Sequence, residues 1–149
     1  MKMKKLAALL CALMLCLAGL TAIAEDMTTE EGDNDMQMMI GKTPVTVAWE
    51  DNTSVEALRA LAAEGLTIEM SMYGGFEQVG SIGQSLPRDD QQTTTTCGDI
   101  VLYSGNQLVV FYGSNSWAYT RLGHITDQTP EQMKALLGSG DVTITLSIK

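Results

Sequence analysis

From residue 36 onward, apolar and polar side chains alternate in several short runs. In residues 36–49 the apolar members of this alternation lie on both sides of a Gly-Lys turn: Met36, Met38 and Ile40, then Val45, Val47 and Trp49. Residues 66–73 alternate in the same way, and residues 142–148 end the chain as another alternating run. A period of two is typical of strands with one buried face, so the pattern predicts a hairpin followed by further strands.

Two central runs, residues 100–103 and 107–112, are apolar on both faces. A short glycine-bearing turn joins them and predicts a second hairpin, which residues 117–125 extend by one more strand. Residues 76–79 suit a brief strand. The polar segment 86–98 lacks any such pattern, so we expect a long loop of the kind that is often functional or mobile.

The period changes to 3.6 in residues 51–65, where the apolar positions share one helical face: Val55, Leu58, Leu61 and Ala62. Thr53 and Glu56 have the spacing of a capping box, and Gly65 suits the left-handed position after the last turn. Thr129 begins a second short helix with the same kind of box.

An open sheet of about eight short strands would leave two edge strands with unpaired backbone groups. Closing the sheet removes those edges, and helices can then cover the barrel ends. The pattern therefore predicts a mainly β fold, a closed β-barrel of about eight strands with two short capping helices.

The first 24 residues have a different character. Lys2, Lys4 and Lys5 precede an apolar run over residues 6–20, and small residues occupy the −3 and −1 positions before Glu25. This is the three-part pattern of a secretory signal peptide cleaved after Ala24. It predicts a secreted or extracytoplasmic protein of the cell envelope, with an uncleaved N-terminal anchor as the alternative.

Residues 25–35, EDMTTEEGDND, are acidic and poor in core-forming side chains, and they predict a disordered spacer. The domain is expected over residues 36–149. The chain has 9 basic and 18 acidic residues, and the signal segment holds three of the basic residues and none of the acidic ones. Residues 25–149 therefore carry a net charge of 6 − 18 = −12. Such a surface repels phosphate backbones and anionic lipids, so we expect no nucleic-acid partner and no stable membrane insertion after cleavage.

Candidate chemistry is sparse beyond residue 24. Cys97 is the one cysteine there, so no internal disulfide is expected, and its thiol is either buried and inert or exposed. The methionines near residue 38 are explained by strand alternation rather than by copper binding. Nothing in the spacing of Cys97 and His124 supports a nucleophilic pair, and no phosphate loop or dinucleotide motif occurs. We predict no cofactor and no metal.

Four segments of the chain resemble the cyclophilin-like fold proteins of bacteria: SMYGGFEQVGSIGQSLP, CGDIVLY, GNQLVVFYGSNSW and YTRLGHI. The resemblance covers residues 36–149 and implies a cyclophilin-like barrel. True cyclophilins are peptidyl-prolyl isomerases, and on that likeness Gln107 stands at the catalytic glutamine, Val109 replaces a pocket phenylalanine and Tyr119 takes the place of a histidine. The motif that delivers the catalytic arginine has no counterpart.

These departures favour an exported domain that binds a peptide or small ligand without catalysis. The alternative is a prolyl isomerase that acts on exported proteins, and a third reading is a scaffold for partner proteins. The candidate ligand-binding residues cluster around the second hairpin and its extension: Phe76, Gln107, Phe111, Trp117, Tyr119 and Arg121. Gln107 is also the candidate catalytic residue. For the aromatic residues the alternative is core and turn packing, and for Arg121 it is a solvated ion pair with an acid. Ligand identity and oligomeric state stay open.

Overall fold

A computed structural model describes residues 35–149, and the predicted signal peptide and nearly all of the predicted spacer lie outside the described residues. In chain order the elements are β1 (Met36–Ile40), β2 (Thr43–Val45), β3 (Val47–Trp49), α1 (Thr53–Ala63), β4 (Leu66–Glu69), β5 (Ser71–Tyr73), β6 (Glu77–Ser81), β7 (Gln91–Thr94), β8 (Asp99–Tyr103), β9 (Gln107–Phe111), β10 (Ser116–Ile125), α2 (Pro130–Leu137) and β11 (Thr143–Ile148). Neither helix of the described residues is long and apolar enough to cross a membrane.

The strands form two antiparallel sheets. One has the order β2-β1-β11-β4; the other runs β3-β10-β8-β9-β6-β5, with β7 paired to the first part of β10. The prediction of a mainly β fold with two short helices is confirmed. The hydrogen bonds do not join the two sheets into one, however, so full closure of the barrel is not seen.

The chain passes between the sheets at two corners, each formed where a predicted strand bends. Thr46 separates β2 from β3, and Met70 separates β4 from β5, so the two halves of each run belong to different sheets. Strands that switch sheets at bends are the usual corners of orthogonal β packing. The predicted count of about eight strands is therefore low, because two runs are split and β7 adds one more.

The main core lies between the two sheets and under both helices. It is built from the inward-facing apolar residues of both sheets and both helices, among them Met38, Leu58, Ile68, Ile100, Leu108, Met133 and Leu146. The two sheets are in close contact where β6 packs on β4. A methyl group placed on Gly80 would lie 2.5 Å from the carbonyl oxygen of Glu69, so this position has room only for glycine.

A second, smaller apolar cluster lies on the opposite face of the larger sheet. It consists of Val101, Val109, Phe111 and Tyr119, with Phe76, Val79 and Tyr103 packed against it. This explains why β8 and β9 are apolar on both faces: alternate residues serve the main core and this second cluster.

The helix ends differ in part from the predicted caps. Asn52 is the N-cap of α1, and its side-chain oxygen accepts a hydrogen bond from the Val55 amide at 2.9 Å. Thr53 is the first helical residue, so the predicted box at Thr53 and Glu56 is wrong: the N-cap lies one residue earlier, at Asn52, and the residue three positions after it is Val55. Gly65 does follow α1 in the left-handed region, with φ of +78°, and the box at Thr129 is present in α2.

The segment 86–98 is more ordered than its sequence suggests. It contains β7, and polar contacts fix it to the start of β10 and the turn before it. The Asp89 amide donates to the Thr120 hydroxyl at 2.9 Å, and Thr120 donates to Asp90 at 2.7 Å. Thr95 exchanges hydrogen bonds with Asn115. The expectation of a structureless loop is therefore wrong, because backbone pairing and hydroxyl contacts replace apolar burial.

Candidate functional site: an aromatic cleft on the larger sheet

A cleft of about 450 Å³ lies over the second apolar cluster. Its lining comes from β5, β6, β8, β9, β10 and the turn before β10: Tyr73, Glu77, Val79, Tyr103, Gln107, Val109, Asn115, Trp117 and Tyr119. Nearly all of these residues occupy alternate positions of neighbouring strands, so they share the face turned away from the main core. The size and mixed lining are those of a small-ligand site.

Tyr119 forms the central wall of the cleft. Its ring packs edge-to-face against Phe111, with centroids 5.7 Å apart, and against Tyr103 at 6.2 Å. The Asn115 amide nitrogen donates to the Tyr119 hydroxyl at 2.8 Å. These contacts fix the orientation of the Tyr119 ring. Edge-to-face aromatic pairs contribute more to stability than the area that they bury accounts for.

Two aromatic side chains at the rim are open to solvent. Tyr73 is 66% exposed and Trp117 is 56% exposed, which is unusual for rings of this size. Exposed aromatic groups beside a concave surface mark many ligand and protein contact sites. The rim therefore offers apolar area that a ligand can cover.

Glu77 places a buried carboxyl group in this cleft. On β6 it lies opposite Tyr73 of β5 and Phe111 of β9, and it is only 6% exposed. Its Oε2 atom is buried without a hydrogen-bond partner among the described residues. Desolvation by this burial raises the pKa of Glu77 to about 7. Burial also raises the pKa of Tyr119, with a smaller contribution from the Glu77 charge.

The structure brings three of the predicted ligand-binding residues to the cleft: Gln107, Trp117 and Tyr119. Phe111 is fully buried beneath the wall, and Phe76 packs against the second cluster with its ring edge-to-face to Tyr73 at 6.3 Å. These two support the site rather than line it. For all six predicted residues, a role in ligand binding stays a prediction.

Arg121 does not reach this cleft. It lies in a separate, polar depression of about 430 Å³ that also includes Asn52, Asp89 and one side of Tyr119. The Arg121 guanidinium is 3.4 Å from Asp99, and the His124 Nδ1 atom is 2.8 Å from the same carboxylate. A β-bulge between Arg121 and Gly123 puts both side chains on the Asp99 side of β10.

Sequence reasoning missed Tyr73, Glu77, Tyr103 and Asn115 as site residues. Glu77 stands next to Phe76 in a run expected to form a brief strand, and its neighbours in the cleft come from β5 and β9. The one available signal was the apolar character of both faces of β8 and β9, which requires a second buried surface on the far side of the sheet.

Cys97 is half-buried, and its thiol has a pKa raised by burial and by the nearby charges of Glu131 and Asp99. A raised pKa opposes the thiolate that a nucleophile needs. Because His124 bonds Asp99, its Nδ1 atom is already engaged. Within residues 35–149, no group of three acidic, histidine or cysteine side chains is placed to hold a metal ion.

Comparison with known proteins identifies a family and a solved structure with a similar fold. The model of the Cyclophilin-like family matches residues 38–147. A solved structure, that of a hypothetical protein from Archaeoglobus fulgidus, has a similar fold with a TM-score of 0.55 and 12% sequence identity. The match covers 78% of this chain and 95% of that one. No curated protein matches the chain. With its two packed antiparallel sheets and a family match over most of its length, the chain belongs to the Cyclophilin-like family.

Proposed function

We propose that residues 36–149 form a binding domain that takes a peptide or small ligand in the aromatic cleft and does not transform it. The observation that carries this proposal is the pair of solvent-exposed rings, Tyr73 and Trp117, at the rim of a cleft with a fixed Tyr119 wall. Covering such rings removes apolar area from water, which favours association by about 25 cal/mol per Å² before the costs of ordering.

The lining of the cleft favours binding over prolyl isomerisation. By resemblance Gln107 occupies the position of the catalytic glutamine, but the cleft lining contains no arginine, lysine or histidine. Arg88 pairs with Asp90 at 3.0 Å, and Arg121 faces Asp99 in the other depression. No cation is therefore placed to withdraw electrons from a prolyl amide and lower its rotation barrier of about 18–20 kcal/mol.

Trp117 gives a direct measurement of binding. The chain has two tryptophans, so Trp49→Phe leaves Trp117 as the single fluorophore. In that background, blocked dipeptides that cover cationic, anionic, polar and apolar side chains are titrated while Trp117 emission is followed. We expect at least one class to change the emission saturably. Val79→Phe, which fills the cleft, abolishes that response, whereas Ser147→Phe, at an exposed position of β11 in the other sheet, preserves it. A panel without any saturable response contradicts the proposal.

The isomerase alternative has its own test. A protease-coupled assay with a proline-containing peptide is expected to show no acceleration at high protein concentration. Turnover that disappears in Gln107→Ala would instead establish catalysis in the same cleft and overturn the non-catalytic proposal.

We also propose that the domain acts after export. The support is the N-terminal sequence, with its lysines, its apolar run over residues 6–20 and its small residues before Glu25. Expression of the full chain in a bacterial host, followed by fractionation and N-terminal sequencing, is expected to give an extracytoplasmic protein that begins at Glu25. A cytoplasmic protein with an intact N-terminus contradicts the proposal.

A further inference from the structure

We propose that the aromatic cleft selects ligands that carry a primary ammonium group, which the Glu77 carboxylate binds between the surrounding aromatic rings. This inference rests on the proposed binding function and names the ligand class that the cleft takes. Its three supports are an unpartnered buried carboxyl oxygen, a set of four aromatic side chains and a lining free of positive charge.

The first support is the state of the carboxyl group. Glu77 is buried on β6, and its Oε2 atom has no hydrogen-bond partner among the described residues. A buried acceptor left unpaired loses its hydration without compensation, so native proteins seldom retain one outside a functional site. A ligand that brings an N–H donor with a positive charge compensates for that loss and adds a charge-assisted hydrogen bond.

The second support is the aromatic surround. Tyr73, Tyr103, Trp117 and Tyr119 line the same cleft as Glu77. Aromatic faces attract cations through their quadrupole, and clefts with several such rings are a general means of holding ammonium groups. An anionic ligand would instead meet the negative faces of the rings and the acidic side chain of Glu77.

The third support is the charge around Glu77. In the sheet register Glu77 pairs with Tyr73 of β5 and Phe111 of β9, and the other residues that line the cleft are Val79, Tyr103, Gln107, Val109, Asn115, Trp117 and Tyr119. None of them is basic, so no internal cation satisfies the carboxylate. The excess of acidic residues in the chain as a whole also attracts cations toward the surface.

The geometry favours a primary ammonium over the other common cations. A quaternary ammonium has no N–H to donate to Oε2. A guanidinium pairs best when both oxygens of a carboxylate are open to its planar fork, whereas an ammonium is a compact charge with three donors that needs only one acceptor oxygen beside the rings.

The protonation state of Glu77 sets a distinctive pH dependence. Because burial raises its pKa to about 7, the empty cleft holds a protonated carboxyl group in mildly acidic solution. Binding an ammonium requires the carboxylate, so association releases a proton below pH 7, and the affinity rises with pH until the carboxyl group is ionised. A ligand that accepts a hydrogen bond from protonated Glu77 would show the opposite trend.

The test uses the chain with Trp49→Phe and two ammonium probes, Nα-acetyl-lysine N-methylamide and hexylamine. Their uncharged partners are the Nε-acetylated lysine derivative and hexanol. Trp117 emission is followed at pH 5.5 and pH 8. We expect both ammonium probes to bind more tightly at pH 8, and the uncharged partners to bind about tenfold more weakly or not at all. The tighter of the two probes identifies the source as a peptide side chain or a free amine.

Matched charge variants complete the test. Glu77→Gln is expected to weaken ammonium binding at pH 8 by about tenfold or more and to remove the pH dependence. Glu50→Gln removes one charge from an exposed position outside the cleft and is expected to leave both unchanged. Equal binding of charged and uncharged probes, or unchanged affinity in Glu77→Gln, overturns the ammonium assignment while the binding function stands. Absence of any ligand response in the dipeptide panel removes the binding function itself.

Discussion

Glu77 supplies the one carboxyl group among the residues that line the cleft, which are otherwise aromatic, aliphatic or amide-bearing. In a strand with Val79 on the same face, an apolar residue at position 77 would extend the second cluster without cost. The chain instead buries a group whose ionised form loses its hydration. Buried groups with shifted pKa values are concentrated at functional sites, where they lower the stability of the fold but serve binding or catalysis.

The burial of Glu77 predicts a pH-dependent cost in stability. Its pKa is raised from 4.5 to about 7 in the folded protein, so the cost is absent below pH 4.5, grows as the pH rises from 4.5 to about 7, and is constant above that. Glu77→Gln, which cannot ionise, is expected to match the wild type near pH 4 and to be more stable at pH 8 by at most about 3 kcal/mol. Urea unfolding at both values measures the difference.

Glu50→Gln serves as the control for that experiment, since its carboxyl group is exposed. Its effect on the free energy of unfolding is expected to stay within about 0.5 kcal/mol at either pH. A Glu77→Gln protein that is less stable than the wild type at pH 8 would mean that a partner satisfies the carboxylate.

At the scale of elements, the start of α1 shows how neighbouring residues compete for one role. Thr53 and Asn52 are both good N-caps by residue type. Asn52 takes the position because its amide nitrogen also donates to the Arg121 carbonyl oxygen at 2.9 Å, which ties the helix start to β10. A contact between residues distant in sequence therefore sets the start of α1, one residue before the N-cap that the capping spacing predicts.

This contact predicts different costs for two adjacent substitutions. Asn52→Ala removes the cap and the link to β10, so it is expected to lower the free energy of unfolding by about 1–2 kcal/mol. Thr53→Ala, at an exposed first helical position, is expected to change it by less than about 0.5 kcal/mol. Urea denaturation followed by circular dichroism compares them, and a larger loss in Thr53→Ala would restore the predicted capping box.

At the scale of the described domain, the segments on either side of α2 hold the two corners between the sheets. Before the helix, Asp127 accepts a hydrogen bond from the Thr46 amide at 3.0 Å. After it, Asp141 accepts one from the Met72 amide at 3.0 Å, and the Val142 carbonyl accepts one from Met70 at 2.8 Å. The helix and its flanks thus fasten both bends, although no ladder of hydrogen bonds joins the sheets there.

The two corner contacts are expected to contribute independently. Asp127→Ala and Asp141→Ala should each lower the free energy of unfolding at pH 7 by about 0.5–1 kcal/mol, and the double variant by their sum, because they share no partner. The exposed Asp51 makes no side-chain hydrogen bond within the described residues, so Asp51→Ala is a suitable control. Urea unfolding of the four proteins measures the effects, and losses no larger than that of the control would show that the corners hold without these side chains.

The pH dependence of the Asp127 contact has the opposite sign to that of Glu77. The hydrogen bond from the Thr46 amide lowers the pKa of Asp127 below its ordinary value of 3.8. The contribution is therefore present above pH 3.8 and is lost as the pH falls through the lowered pKa. The difference between Asp127→Ala and the wild type is expected to shrink in that acidic range, as urea unfolding at pH 7 and pH 3 can show.

Local patterns determined much of this protein. Alternation specified the hairpins, the 3.6-residue period specified α1, and the aromatic residues near 117 indicated the sheet face on which the cleft lies. These features depend on neighbours a few residues apart, which the sequence displays directly.

Only the tertiary structure decided where the chain bends and which strands lie side by side. An alternating run reads the same whether it stays in one sheet or turns at Thr46 or Met70 into another. Glu77 lies in the cleft because β6 pairs in register with Tyr73 of β5 and Phe111 of β9. Arg121 lies outside the cleft because its side chain contacts Asp99 beside a β-bulge. Such pairings join residues distant in sequence, and their energies depend on packing that no local pattern contains.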